Sequence, residues 1–215
     1  TQRQGRVILY VGGPSGLQQS PSWVYEGKVA NGILGLAISM IGDINGDGFS
    51  EIAASDFSGT GRVLLFMGAP TLPASEPAVV ASGNSTWLQF GVSIAPAGDV
   101  NGDHLDDFLI GSFQERPFHY AGRVDLLLGR AAHPFLSLGW DYVEPQADAL
   151  FGLGMCSMGD SNGDGVGDFA IGAEGFDFAI ENEGRVICFL GSRLTLKTSR
   201  SQSSGCPPRT VLKTH

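Results

Sequence analysis

The sequence predicts an all-β chain of stacked four-stranded blades, and three observations carry that expectation. The phrase Gly-Arg-Val, followed by apolar residues and Gly, recurs at Gly5, Gly61, Gly122 and Gly184. An Asp-x-Asn-Gly-Asp loop recurs from Asp43, Asp99 and Asp160, each time preceded by a Leu-Gly or Phe-Gly phrase. Glycine is abundant (32 residues), and no 3.6-residue apolar period runs far enough for a major helix. Short strands joined by tight turns are what such a composition builds.

The elements follow in order. LAISMIG, VSIAPAG and LGMCSMG lead into the Asp loops and read as first strands; EIAAS, DFLIGS and DFAIGA follow them as second strands. The Gly-Arg-Val runs are third strands, and a fourth is expected at WVYEG near Trp23, AVVAS near Ala78 and WDYVE near Trp140. From the Gly-Arg-Val glycine to the glycine of the next Leu-Gly or Phe-Gly is always 30 residues (5 to 35, 61 to 91, 122 to 152). From there to the first loop Asp is always 8 (35 to 43, 91 to 99, 152 to 160). All length variation falls between the Asp loop and the next Gly-Arg-Val, where the spacing is 18, 23 and 24.

Four short strands in a repeat of 56 to 62 residues are the signature of a β-propeller blade, which is stable only when neighbours cover both its faces. A β-sandwich has no reason to hold a loop in constant register across three repeats. One propeller domain is expected over 1–198, with repeats at about 1–30 (partial), 31–86, 87–147 and 148–198. Three full repeats plus a half repeat at the N-terminus make a partial or reduced ring, whose open blade faces would favour self-association. Arg193–Thr198 is expected to form the last outer strand, and 199–215 a flexible tail.

The net charge of −9 argues against nucleic acid or an anionic membrane as partner. Much of it sits in the loops. Each offers Asp at position 1, Asn at 3, Asp at 5 and a carboxylate at 9, and a hard divalent cation takes about six to eight oxygens from such a pattern. Three such ions would bring the charge from −9 to −3. No apolar run is long enough to span a bilayer and no leader is visible. Cys156 and Cys188 lie in apolar strand-like runs and are expected to act as small core hydrophobes; with Cys206 the count is odd. Asn84-Ser85-Thr86 is a glycosylation triplet of low specificity. His104, His119, His133 and His215 are scattered, without an H-E-x-x-H or G-x-S-x-G arrangement, so no catalytic residue, no enzyme activity and no small-molecule substrate is expected.

The order Phe-Gly, Asp loop, apolar strand, Gly-Arg-Val resembles the FG-GAP repeat, over roughly residues 5–192. That repeat builds the propeller at the head of integrin α chains and occurs in glycosylphosphatidylinositol-specific phospholipase D and bacterial secreted proteins. The resemblance implies about three calcium ions per chain. Loop 1 would use Asp43, Asn45, Asp47, the Phe49 carbonyl and Glu51. Loop 2 would use Asp99, Asn101, Asp103, the Leu105 carbonyl and Asp107, and loop 3 Asp160, Asn162, Asp164, the Val166 carbonyl and Asp168. Position 6 favours Gly because the loop turns there with positive φ; His104 departs from that pattern, costs about 1 kcal/mol or more, and should weaken loop 2. Glu51 replaces the usual Asp at position 9, and its longer arm can still reach. Asp106, at position 8, is expected to face solvent. An EF-hand would need flanking helices and a Glu at position 12, where Ala54, Ile110 and Ile171 stand instead.

The function expected is a non-catalytic, calcium-binding adhesion or binding module at the cell surface or outside the cell, with calcium structural in the hairpin loops. The alternatives are an accessory propeller of a secreted hydrolase such as a phospholipase, or a self-associating surface scaffold. Because the Asp loops occupy one rim, the variable connections Asp56–Thr60, Phe113–Ala121 and Glu174–Glu183 emerge on the other. Phe118, His119, Tyr120, Phe176 and Phe178 there are candidate contacts for a protein or surface ligand, or else fold back to cap the rim.

Overall fold

Alternation of apolar residues and frequent glycines produce strands alone among the described residues. The structure, a computed structural model, describes residues 4–30, 32–57, 59–71, 73, 76–83, 88–113, 120–132, 135–179, 181, 183–193 and 210–211. The first repeat contributes β1 (Arg6–Leu9), β2 (Gly12–Gly13), β3 (Gly16–Leu17) and β4 (Trp23–Glu26). The second holds β5 (Leu34–Gly42), β6 (Glu51–Asp56), β7 (Arg62–Phe66) and β8 (Ala78–Ser82). The third holds β9 (Leu88–Gly98), β10 (Asp107–Phe113), β11 (Arg123–Gly129) and β12 (Leu136–Val143). The last comprises β13 (Phe151–Gly159), β14 (Asp168–Ala173), β15 (Arg185–Leu190) and β16 (Thr210–Val211).

Three four-stranded sheets result, in the orders β5-β6-β7-β8, β9-β10-β11-β12 and β13-β14-β15-β16. All pairs within them are antiparallel except β15–β16, which is parallel. At the start β1 pairs with β4 alone, giving the outer half of a blade, with β2 and β3 as a small hairpin. The expected fourth strands at Trp23, Ala78 and Trp140 are present as β4, β8 and β12. The architecture is a β-propeller of three blades and a half blade in an open ring.

Three apolar clusters join successive blades. Val7 and Tyr25 of the half blade meet Ile52, Ala54, Leu64 and Phe66 of blade 1. Ile41, Ala53, Val63 and Leu65 from the other face of blade 1 meet Phe90, Phe108 and Ile110 of blade 2. Leu109, Val124 and Leu126 then meet Phe151, Phe169, Ile171 and Phe189 of blade 3. Alternation does this: Phe108 and Ile110 point back while Leu109 between them points forward, so both blade faces must be apolar.

At the two ends the pattern continues without a neighbour among the described residues. Val186 and Met158 of blade 3 occupy the places of buried Val63 and Ile41, and of Val124 and Ala97, yet Val186 is 69% exposed and Met158 is exposed too. Cys156 and Cys188 lie on the same open face and are exposed. The expectation that both are core residues is thus corrected, because the face they belong to is uncovered. On the first blade the half blade covers β6 and β7 but leaves Leu36, Ile38 and Met40 of β5 exposed.

Candidate metal centre

The hairpin between the first two strands of each blade wraps its own first carboxylate. In loop 1, Asp43 Oδ1 accepts from the N–H groups of Gly46 (2.7 Å) and Asp47 (3.1 Å), and Oδ2 from Gly48 (2.8 Å). Asn45 Oδ1 accepts from Asp47 N–H (2.8 Å), and Asp47 Oδ1 from Phe49 N–H (2.9 Å). Loops 2 and 3 repeat every bond. Asp99 gathers Gly102, Asp103 and His104, and Asp160 gathers Gly163, Asp164 and Gly165. Asn101 and Asn162 take the place of Asn45, and Asp103 and Asp164 that of Asp47.

The position-6 residue turns with φ of 87° at Gly48, 72° at His104 and 82° at Gly165. His104 therefore adopts the glycine conformation, as the spacing predicts, and its ring stays in solvent with Nδ1 3.9 Å from Asp99 Oδ2. The carboxylate at position 9 is fully buried in all three loops. Glu51 accepts from Ile44 N–H and Gly68 N–H, Asp107 from Val100 and Gly129, and Asp168 from Ser161 and Gly191. Each such carboxylate ties its loop to the end of the third strand of the same blade.

The electrostatics suit a cation. Burial pushes Asp107 up to about 8, against the bonds from Gly129 and Val100, and the negative Asp103 and Asp99 add to the rise. Burial likewise raises Glu51, partly offset by Ile44 and Gly68, with Asp47 and Asp43 adding. Exposed Asp160 is held low by the N–H of Gly165 and its loop neighbours. The donor set of hard oxygens fits a divalent cation of the calcium type. Among the described residues, however, no three His, Cys, Asp or Glu side chains already converge as a coordination sphere.

Loops 1 and 2 are also clamped by the following blade, through contacts that no repeat shows within itself. Asp106 N–H donates to the Asp43 carbonyl (3.0 Å), and Asp106 Oδ2 accepts from Asp43 N–H (2.8 Å). Asp106 thus joins loop 2 to loop 1; the expectation that it faces solvent is corrected. Gly167 N–H repeats the first bond to the Asp99 carbonyl (2.6 Å). The backbone N–H groups of Arg130 and Ser192 donate to the Ile44 and Val100 carbonyls at 2.8 and 2.9 Å.

On the opposite rim the Gly-Arg-Val arginines of the three full blades each find a buried carboxylate, from a different place each time, whereas Arg6 pairs with exposed Glu26. Arg62 Nε bonds Asp56 (2.9 Å) in the neighbouring strand, and Arg123 Nε bonds Asp125 (2.9 Å) two residues on. Arg185 reaches back to Glu144, which the previous repeat supplies. Asp125 was the legible one of the three, since it stands in GRVDLLLG where the other repeats have Leu64 and Ile187. Of the aromatic candidates, Phe176 is half-buried with the Arg185 guanidinium 3.7 Å from its ring centre, and Tyr120 packs edge-on against Phe113. Phe178 is 73% exposed. Phe118, His119, Asn84, Cys206, His133, His215 and residues 194–198 lie outside the described residues. No described helix is long and apolar enough to cross a membrane.

Residues 90–127 match the FG-GAP repeat family. The chain is 33% identical to integrin alpha-7 of Rattus norvegicus over 85 residues, which is 39% of this chain and 8% of that protein. It is 32% identical to integrin alpha-7 of Homo sapiens over 133 residues, 59% of this chain and 10% of the relative. To integrin alpha-8 of Gallus gallus it is 32% identical over 185 residues, covering 74% of this chain and 17% of the relative. The chain thus spans less than a fifth of the length of these relatives.

Proposed function

We propose that this chain, an FG-GAP repeat β-propeller similar to integrin alpha chains, is a non-catalytic binding or adhesion module whose hairpin loops hold structural calcium outside the cell. The observation that carries the reading is the threefold identity of the loops, down to each hydrogen bond around Asp43, Asp99 and Asp160. Calcium would be held by the position 1, 3, 5 and 9 side chains and the carbonyls of Phe49, Leu105 and Val166. When bound it supplies charge neutralisation, not chemistry. It would hold together four carboxylate or amide side chains that otherwise repel or compete for loop N–H groups. Because loops 1 and 2 are also bonded to the next blade, ordering either would order a blade junction. This favours a staple over a switch.

Recognition would then fall to the rim away from the loops, where Phe178 and Tyr120 stand out from connections anchored by buried Arg–carboxylate pairs. Exposed aromatics on a rigid base lose little entropy on binding. The test is binding of the calcium-loaded chain to immobilised extracellular-matrix proteins. The reading expects saturable binding that a Phe178→Ala, Tyr120→Ala double variant loses while keeping its calcium and its melting temperature. Binding that survives the double variant would remove this rim from the account. The open face bearing Val186 and Met158 gives the scaffold reading its support, since association there would bury an apolar face.

A further inference from the structure

Arg193 lies across two of the three loops. Ser192, just before it, is fixed by its bond to the Val100 carbonyl (2.9 Å), which sets residue 193 beside loop 2. The side chain then runs over Gly102: a Cβ on that glycine would stand 2.6 Å from Arg193 Cγ and 3.2 Å from Nε. The guanidinium ends on loop 3, where Nη2 donates to the Gly165 carbonyl (3.4 Å) and a Cβ on Gly165 would stand 2.8 Å from it. Gly at positions 4 and 6 therefore leaves room for an arginine as well as for the turn. The equivalent positions after the other two third strands are Pro70 and Ala131, so loop 1 has no such residue. Gly46 of loop 1 is covered instead by the apolar Leu105 side chain.

We infer that Arg193 is a tethered counter-cation that makes calcium binding at loops 2 and 3 weaker and less salt-sensitive than the loops alone would give. The inference rests on the reading that these loops bind calcium. Without metal, its charge offsets the crowded carboxylates Asp99, Asp103, Asp160 and Asp164. With metal, the same charge opposes two divalent ions. At a separation on the order of 8 Å in water-like dielectric, that repulsion weakens each site about five-fold. An exposed hydrogen bond of 3.4 Å is too long and too wet to outweigh it.

The test is calorimetric titration of calcium into the chain and into Arg193→Ala and Arg193→Lys, at low and high salt, with melting in chelator as a second reading. Arg193→Ala should bind about five-fold more tightly at two of its sites in low salt, with the difference shrinking in high salt. It should also melt lower than the unsubstituted chain in chelator. Arg193→Lys should resemble the unsubstituted chain in both readings. Unchanged or weaker calcium binding in Arg193→Ala would overturn the inference alone, and would mark Arg193 as a latch. No calcium binding by the unsubstituted chain would overturn the loop reading and the inference together.

Discussion

Gly61 and Phe90 touch backbone to backbone: a Cβ on Gly61 would stand 2.4 Å from the Phe90 carbonyl oxygen, and Gly61 turns with φ of 90°. The contact recurs between Gly5 and Leu34 and between Gly122 and Phe151. It joins the start of one blade's third strand to the start of the next blade's first strand. Phe90 N–H also bonds the Thr60 carbonyl, as Phe151 N–H bonds that of Ala121. The constant spacing in the sequence is the length of chain that must run between two points in contact.

Gly122→Ala should accordingly destabilise the chain by about 2–4 kcal/mol, combining a left-handed backbone with a close approach to Phe151. Urea unfolding checks it. Gly154→Ala, where a Cβ meets nothing within 4 Å, should cost far less.

The repeat periods, blade count, strand order and loop conformations were legible because each is fixed by short-range geometry repeated three times. Even the positive φ at His104 followed from its place in the loop. Asp106 was not legible, since its partner Asp43 lies in another repeat and its exposure depends on how blades stack. The same holds for Cys156 and Cys188. Their sequence surroundings match those of buried strand residues, and only the missing neighbour exposes them. The arginine partners Asp56 and Glu144 escaped because they share no repeat position, and only Asp125 breaks the apolar pattern of its own strand.

His104→Gly should stabilise the chain by about 0.5–1 kcal/mol, as relief at a φ of 72° exceeds the added freedom of glycine in the unfolded chain. Loop 2 should then bind calcium several-fold more tightly. Chemical unfolding in chelator and calcium titration separate the two effects.

Cys156 and Cys188 should react with a maleimide in the folded chain, without denaturant, as peptide mapping would show. If the open face of blade 3 self-associates, protection of both thiols should grow with protein concentration. Reaction only upon unfolding at every concentration would contradict the open ring.

A pH dependence follows from Asp107. Burial pushes its folded pKa up to about 8, above the ordinary aspartate value of 3.8. The metal-free fold therefore has its full contribution from this group below about 3.8 and loses it as pH rises through about 8. Calcium should cancel that decline, and binding near pH 7 should release a large fraction of one proton from loop 2. Calorimetry in buffers of different ionisation enthalpy reads the proton directly.

Metal counting alongside melting, with and without chelator, bears on the whole account most directly. Close to three calcium ions per chain and a melting temperature that falls clearly on chelation are predicted. Fewer than two ions, or melting indifferent to chelator, would contradict the reading of the three hairpin loops as calcium staples.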